Sequence, residues 1–476
     1  MENDKVLNYV NELLFQGMDV LEDNLKINGY NIEYRKIYFK IKKHVNMFLE
    51  GYVENRFITL AGLRGVGKTT SLFQIYDYLI NEENISKNRV LYIPADELDY
   101  LGTDLYEVIN VFIKDIHNSR ITNLKEELFI LIDEAQYDKK WSRTGKIIYD
   151  KTKKIFIIFT GSSALDFEMN VDAVRRIKKE LVFPMNFNEY NLLKNKISPP
   201  KNYENIITQL IFTGNVDNAI KKESEMNLNL LNTNKPIVKE WEKFLIYRDF
   251  PYGLYMKKED VFIRTFAMIN RIIEKDVFTL KSFNTNTIST INQIITYIGL
   301  QDPGGTSDKK LATILSKSAK SIREILDVLE KTQLIFSIKP YGSGGKQIRK
   351  PWKYYFLSQS INASIRYKFG KFNIYDRKIL GLLAENFIAS YLFKLRENLN
   401  QYLNIYYDPS INGVDFLIDI GDKIIPIEVG LGKKDKKQIT KAIVKYKSEY
   451  GIIISNTTEK IRKEDNIIYI PLIAIS

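Results

Sequence analysis

The sequence predicts an α/β fold: a parallel β-sheet with crossover helices, followed by a second region in which helices precede short paired strands. Two observations carry this. Five short β-rich runs, Phe57–Ala61, Val90–Pro94, Leu128–Ile132, Ile155–Thr160 and Glu180–Phe183, are separated by helix-length segments, the pattern of parallel strands joined by crossovers. From residue 301 the pattern changes to two short helices, a hairpin, a long helix and further paired runs. At 476 residues, with 45% hydrophobic and 27% charged side chains, the chain can bury the cores of roughly two to four domains, and wholesale disorder is excluded.

The elements follow in order. Residues 1–56 place apolar side chains at helical spacing without any motif and are expected to form a helical lead-in. The parallel sheet occupies 57–190. Residues 191–300 are a helical lid or connector, with the Asn-rich segment Asn227–Pro236 as a loop. In 301–375, Gln301-Asp-Pro-Gly-Gly is a turn, Leu311–Leu315 a short helix and Ser321–Glu330 a second one. Its Ile322, Ile325, Leu326 and Leu329 form one apolar stripe, and Ser321 with Glu324 has capping-box spacing. Strands Leu334–Ile338 and Tyr354–Leu357 flank the loop Tyr341-Gly-Ser-Gly-Gly-Lys346. Two helices and a hairpin make a winged helix. Residues 376–476 form a small α/β domain: a helix, a hairpin, a Lys-rich helix and two more strands.

Composition excludes several chemistries. With no cysteine there is no disulfide framework, thiolate metal site or thiol nucleophile, and two histidines, His44 and His117, leave little for a His-based metal site. No apolar run approaches the ~18–20 residues of a membrane span. A cytoplasmic protein without a membrane partner is expected. The net charge of +12 suggests an acidic partner, nucleic acid first.

The strongest motif lies directly after the first strand. Gly62, Leu63, Arg64, Gly65, Val66, Gly67, Lys68 and Thr69, with Thr70 behind them, match G-x-x-x-x-G-K-[ST] between a strand and a helix. Glycines let backbone N–H groups wrap phosphates, Lys68 reaches the β- and γ-phosphates of ATP, and the Thr69 hydroxyl is a Mg²⁺ ligand. The apolar strand Leu128–Ile132 runs into Asp133 and Glu134, which places Asp133 on Mg²⁺ and Glu134 on the attacking water. Another strand ends Thr160-Gly161-Ser162-Ser163, where Ser162 can sense the γ-phosphate; a plain turn is the competing reading. Arg175 and Arg176 precede the fifth strand, either as nucleotide contacts or as ordinary surface arginines.

These residues resemble a known family. The loop GLRGVGKTT, the strand LFILIDEAQ with the Trp141 that follows, TGSSA and VRRIKKELVFPMNFNEY are similar to the prokaryotic AAA-type P-loop ATPases common in archaea. In many of these a winged helix and a restriction-endonuclease-like domain follow the ATPase. The resemblance implies ATP binding and hydrolysis, and it implies that an arginine before the fifth strand serves as an arginine finger. Arg248-Asp249-Phe250-Pro251 departs from the family, which often has two glycines before Phe-Pro.

Charge is concentrated in the winged-helix region: 301–360 holds 11 Lys and Arg against 5 Asp and Glu, half of the chain's net charge. Lys317, Lys320 and Arg323 surround the start of the second helix, and Lys346, Arg349, Lys350 and Lys353 flank the glycine-containing loop. A recognition helix with a basic wing on DNA phosphates would use charges placed this way, whereas a winged helix serving as a spacer or protein-binding module would not need them.

In the last domain, a Gly421-Asp422 turn pairs Ile420 with Lys423 and, counting back, sets Asp415 opposite Glu428. Like charges so placed are destabilising, and a divalent cation would offset them. The arrangement resembles the centre of restriction-endonuclease-like nucleases, which implies Asp415, Glu428 and Glu385 as ligands of a second Mg²⁺. Gly430 stands where that pattern has lysine, with Lys433 and Lys434 the nearest replacements, so a weak nuclease and an inactive one both fit.

The function these readings predict is a Mg²⁺-dependent ATPase coupling nucleotide state to DNA binding. Two alternatives use the same motifs: an ATP-driven signalling or scaffold switch acting on a protein partner, and an ATP-regulated, metal-dependent nuclease. Assembly into an oligomer would bring Arg175 or Arg176 to a neighbour's nucleotide.

Overall fold

The structure, a computed structural model, describes residues 2–27, 29–162, 175–231, 236–281, 283, 285–301, 305–399, 403–432 and 435–475. Two compact units divide the chain, Met1–Phe183 and Pro184–Ser476.

The first unit contains α1 (Glu2–Leu25), α2 (Lys36–Leu49), β1 (Phe57–Ala61), α3 (Lys68–Asp77), β2 (Val90–Pro94), α4 (Leu105–Val111), β3 (Leu128–Asp133), α5 (Trp141–Lys151), β4 (Ile155–Gly161) and β5 (Lys178–Leu181). The sheet order is β2-β3-β4-β1-β5, all parallel. Every residue of β1, β3 and β4 is buried, which is why these runs read as continuous apolar strings and not as alternating ones. Strand β1 sits between β4 and β5, so the turn leaving its carboxyl end opens where the chain's winding direction reverses, the usual place for a ligand.

The lead-in is part of this unit. Val6, Tyr9 and Val10 of α1 share the hydrophobic core with Leu91, Ile130 and Ile157 of the strands. The Tyr9 hydroxyl donates to Glu97 at 3.0 Å. A boundary at 56/57 therefore cuts through a core. Helical periodicity marks the lead-in but not the surface it covers.

In the second unit, α6 (Tyr203–Thr213), α7 (Asp217–Leu231), α8 (Ile237–Tyr247), α9 (Lys258–Arg271) and α10 (Thr285–Leu300) precede α11 (Asp308–Leu315) and α12 (Ala319–Lys331). Part of the expected loop Asn227–Pro236 is helical through Leu231, because Ala219, Glu223, Met226 and Leu230 recur on one buried face; residues 232–235 lie outside the described residues. Helix α12 buries the expected stripe, Ile322, Ile325, Leu326 and Leu329. Its cap is Ser318, whose side chain accepts from the Ser321 N–H at 3.1 Å, so Ser321 with Glu324 is not the capping box.

Next come β6 (Ile335–Pro340), the short helix α13 (Gly344–Arg349), β7 (Lys353–Phe356), α14 (Gln359–Lys368) and α15 (Arg377–Asn398). The segment expected as a glycine loop thus contains a helical turn. After them follow β8 (Asn404–Tyr407), β9 (Phe416–Asp419), β10 (Ile424–Gly430), α16 (Lys436–Tyr446), β11 (Gly451–Ser455), β12 (Arg462–Glu464) and β13 (Ile467–Pro471). One eight-stranded sheet joins them in the order β12-β13-β11-β10-β9-β8-β6-β7. The link is the parallel pairing of β6 with β8, Tyr406 to Lys339 and Tyr407 to Pro340. Two helices and a hairpin occur in the predicted order, but the hairpin extends the sheet of the C-terminal region instead of standing apart as a free wing.

Helix α7 also carries a pH-sensitive contact. Glu223 is buried and accepts from the Ile461 N–H at 2.7 Å. Burial raises its carboxyl to about 7, against the pull of that hydrogen bond and of Lys460. A carboxyl raised on folding keeps its proton longer in the native state, so stability falls as pH climbs through this window, and the loss is complete above it. Glu223→Gln, which keeps an acceptor oxygen, is expected to raise Tm near pH 8 and to leave it unchanged near pH 4. Thermal melts at the two pH values check this, and equal shifts at both would contradict it.

Candidate nucleotide site

The phosphate loop is shaped by its glycines. Gly65 and Gly67 adopt left-handed backbone angles, φ 79° and 92°, which side chains resist. A Cβ on Gly62 would lie 2.1 Å from the Val182 carbonyl oxygen, so the loop passes a neighbouring backbone at a distance only glycine allows. Lys68 opens α3, is 5% exposed, and its ammonium donates to the Gly62 and Leu63 carbonyls at 2.8 and 2.9 Å. Gly67 precedes the helix and offers no side-chain cap, leaving the first N–H groups and the positive dipole end for an anion.

A second anchor comes from the lead-in. Arg35, 8% exposed at the start of α2, donates to the Val66 carbonyl and, at 3.0 Å, to the Phe183 carbonyl. No local motif marks Arg35; an isolated arginine before an amphipathic helix is the sole signal.

Strand β3 delivers Asp133 to the carboxyl edge of the sheet. The Thr69 hydroxyl donates to its carboxylate at 2.9 Å, Thr160 donates to Oδ1, and Tyr92 reaches Oδ2 at 3.4 Å. Burial, then the neighbouring Glu134, push the Asp133 carboxyl above its usual range, while the hydroxyls of Thr160 and Thr69 and the charge of Lys68 pull it down. Thr160 works in both directions, since its oxygen also accepts from the Glu134 N–H at 3.1 Å.

Glu134 sits at φ 53°, ψ 44°, a left-handed conformation that costs a side-chain-bearing residue on the order of 1–3 kcal/mol. Both carboxylate oxygens are engaged: Oε1 by Arg64 at 3.0 Å and Oε2 by the Gln136 amide. The motif marks Arg64 only as a loop residue, and Gln136 only as the last residue of LFILIDEAQ, with no role given to either.

Other predicted residues are placed differently. Gly62, Leu63 and Val66 are buried in the loop, and Thr70 lies half-buried in the first turn of α3. Ser162 is buried after β4, its hydroxyl making no hydrogen bond among the described residues; Ser163 lies outside them. Arg175 and Arg176 lie before β5, toward the amino end of β1. They precede Lys178, which pairs with Ile58 near the amino end of β1, whereas the loop leaves its carboxyl end. Arg176 is bound to Asp150 at 2.7 Å. A role toward a neighbouring copy stays an expectation.

The C-terminal carboxylates lie around the expected hairpin. The hairpin register is as counted: Phe416 pairs with Ile427 and Asp419 with Ile424. Yet Asp415 lies just outside β9 and accepts from the Val429 N–H at 2.8 Å, Glu428 is 2% exposed, and Glu385 accepts from the Tyr355 hydroxyl at 2.7 Å with Lys353 at 3.4 Å. Among the described residues no group of three or more His, Cys, Asp or Glu could hold a metal ion. Asp415 and Glu385 each accept from a nearby donor, and both carboxylates act on the Tyr355 hydroxyl. Lys433 and Lys434 lie outside the described residues.

Of the DNA-contact candidates, Arg323 is committed elsewhere. Its guanidinium forms a fork with Asp308 at 2.7 and 2.8 Å and stacks over Trp352 at 4.1 Å. Lys317, Lys320, Arg349 and Lys350 are exposed, and the Lys346 side chain lies outside the described residues.

Comparisons with known proteins accord with the first unit. An AAA domain model matches residues 54–191, and two domains of unknown function, DUF8612 and DUF4143, match 239–368 and 380–475. An uncharacterized protein of Methanocaldococcus jannaschii, MJ1637, is 33% identical over 98% of this chain and 92% of its own length. The chain belongs to the same family as MJ1637. An uncharacterized protein of Haemophilus influenzae is 22% identical over 66% of this chain and 69% of its own. Among solved structures, a RuvB variant of Thermotoga maritima covers 63% of this AAA-domain chain and 89% of its own at 10% identity and TM-score 0.27. AMPPCP-bound DnaA of Aquifex aeolicus covers 64% and 91% at 14% and 0.26. Among the described residues no helix is long and apolar enough to cross a membrane.

Proposed function

We propose that this AAA-domain protein is a Mg²⁺-dependent ATPase that couples its nucleotide state to DNA binding through the basic C-terminal half. The observation that carries the ATPase reading is the convergence of Lys68, Thr69, Asp133 and Glu134, from two separate segments, at one carboxyl edge of the sheet. The loop N–H groups and the start of α3 bind the phosphates. Lys68 exchanges the Gly62 and Leu63 carbonyls for phosphate oxygens, and Glu134 orients the attacking water. Thr69 and Asp133, oxygen donors 2.9 Å apart, suit Mg²⁺ and would hold it. When bound, that ion neutralises charge developing on the phosphate oxygens. Thr160 keeps Asp133 and the Glu134 backbone fixed relative to each other.

The DNA reading rests on the exposed Lys317, Lys320, Arg349 and Lys350 within a region of net charge +6. The commitment of Arg323 to Asp308 favours a protein-directed switch as the second reading. A labelled duplex titrated between 50 and 200 mM salt separates them. Affinity should fall steeply with salt, and the double variant Lys317→Ala with Lys320→Ala should flatten the logarithmic slope by roughly 1–2. No binding at 50 mM salt, with ATP turnover indifferent to DNA, would favour the switch.

A further inference from the structure

The ion pair between Arg64 and Glu134 joins the phosphate loop to the water-orienting residue, across 70 positions of sequence. Both partners are mostly buried, with side chains 9% and 18% exposed, so the attraction is weakly screened by solvent. Gln136 holds the other oxygen. The left-handed backbone at Glu134 and the Thr160 hydroxyl on its N–H fix where that carboxylate can point. As placed, Glu134 has one oxygen on a guanidinium and the other on an amide, which together fix the direction of the carboxylate.

We propose that Arg64 is a γ-phosphate-responsive positioning residue: it restrains Glu134 while no terminal phosphate is bound and transfers its guanidinium to that phosphate when ATP enters. The inference deepens the ATPase reading and rests on it. Arg64 is the third residue of the loop, and its guanidinium lies 3.0 Å from the carboxylate whose water must stand beside the terminal phosphate. That phosphate is an anion of higher charge than a carboxylate, and a guanidinium matches its oxygens in the same planar fork. Exchange of the partner therefore releases Glu134 only when the phosphate to be cleaved is present. ADP, lacking it, leaves the pair intact. Arg64 then separates ATP from ADP in binding as well as in turnover.

Calorimetric binding of AMPPNP and of ADP, each with Mg²⁺, to the full chain and to Arg64→Ala and Arg64→Lys tests this. Arg64→Ala is expected to weaken AMPPNP about tenfold or more while ADP stays within about twofold, the size of one charge-assisted contact. Arg64→Lys, a charge without the fork, is expected to restore part of the difference. Retained ADP binding reports that the variant is folded. An equal loss for both nucleotides would make Arg64 a structural support of the loop and overturn the proposal, as would unchanged affinities for both. A wild-type chain binding neither nucleotide would overturn the ATPase reading, and this proposal with it.

Discussion

Lys68→Ala is expected to reduce ATP turnover by roughly 10²–10³-fold or more, the scale for deleting one preorganised charge at a reacting centre. Lys68 is 5% exposed, with its ammonium folded over the loop and held by two carbonyls that any phosphate can displace. Its place at the first position of α3 adds its charge to the helix dipole, so its loss also weakens nucleotide binding. Steady-state phosphate release and nucleotide titration measure the two effects separately. Turnover equal to the parent's would remove Lys68 from the site.

Glu134→Gln is expected to hold ATP and lose turnover, by a comparable factor. Glutamine keeps the size of the side chain and can still accept from Arg64 and Gln136 through its one carbonyl oxygen, but it polarises water poorly. Binding should persist because Lys68, Thr69 and Asp133 are untouched. A rapid-filtration assay of retained ATP alongside phosphate release distinguishes this from collapse of the site. Turnover at the parent rate would show that another group orients the water.

Much of this site was legible because its signals are local. The phosphate loop is contiguous and flanked by a strand and a helix, and Asp133 and Glu134 terminate an unbroken apolar run. The Phe416–Ile427 register was legible for a similar reason, since a two-residue turn leaves one way to count. What was not legible depends on segments far apart in sequence. Arg35 reaches the loop from the lead-in, Arg64 reaches Glu134, and β6 pairs with β8 across three intervening helices and β7. Arg323 shows how charge counting misleads: a basic residue off an apolar stripe looks available until Asp308, one helix earlier, is found beside it. The local partners of the C-terminal carboxylates were hidden for a related reason. Strand register set Asp415 near Glu428, but local donors, the Val429 N–H and the Tyr355 hydroxyl, decided where Asp415 and Glu385 turn.

In the proposed function, one chemical centre at the carboxyl edge of the five-stranded sheet hydrolyses ATP. Its most direct test is phosphate release from ATP with Mg²⁺ by the wild-type chain and by Lys68→Ala, purified side by side. Sustained release by the wild type is expected, abolished by chelating the metal and nearly absent in the variant. Release at the same rate from both proteins, or none from a wild-type chain that binds ATP, would contradict it.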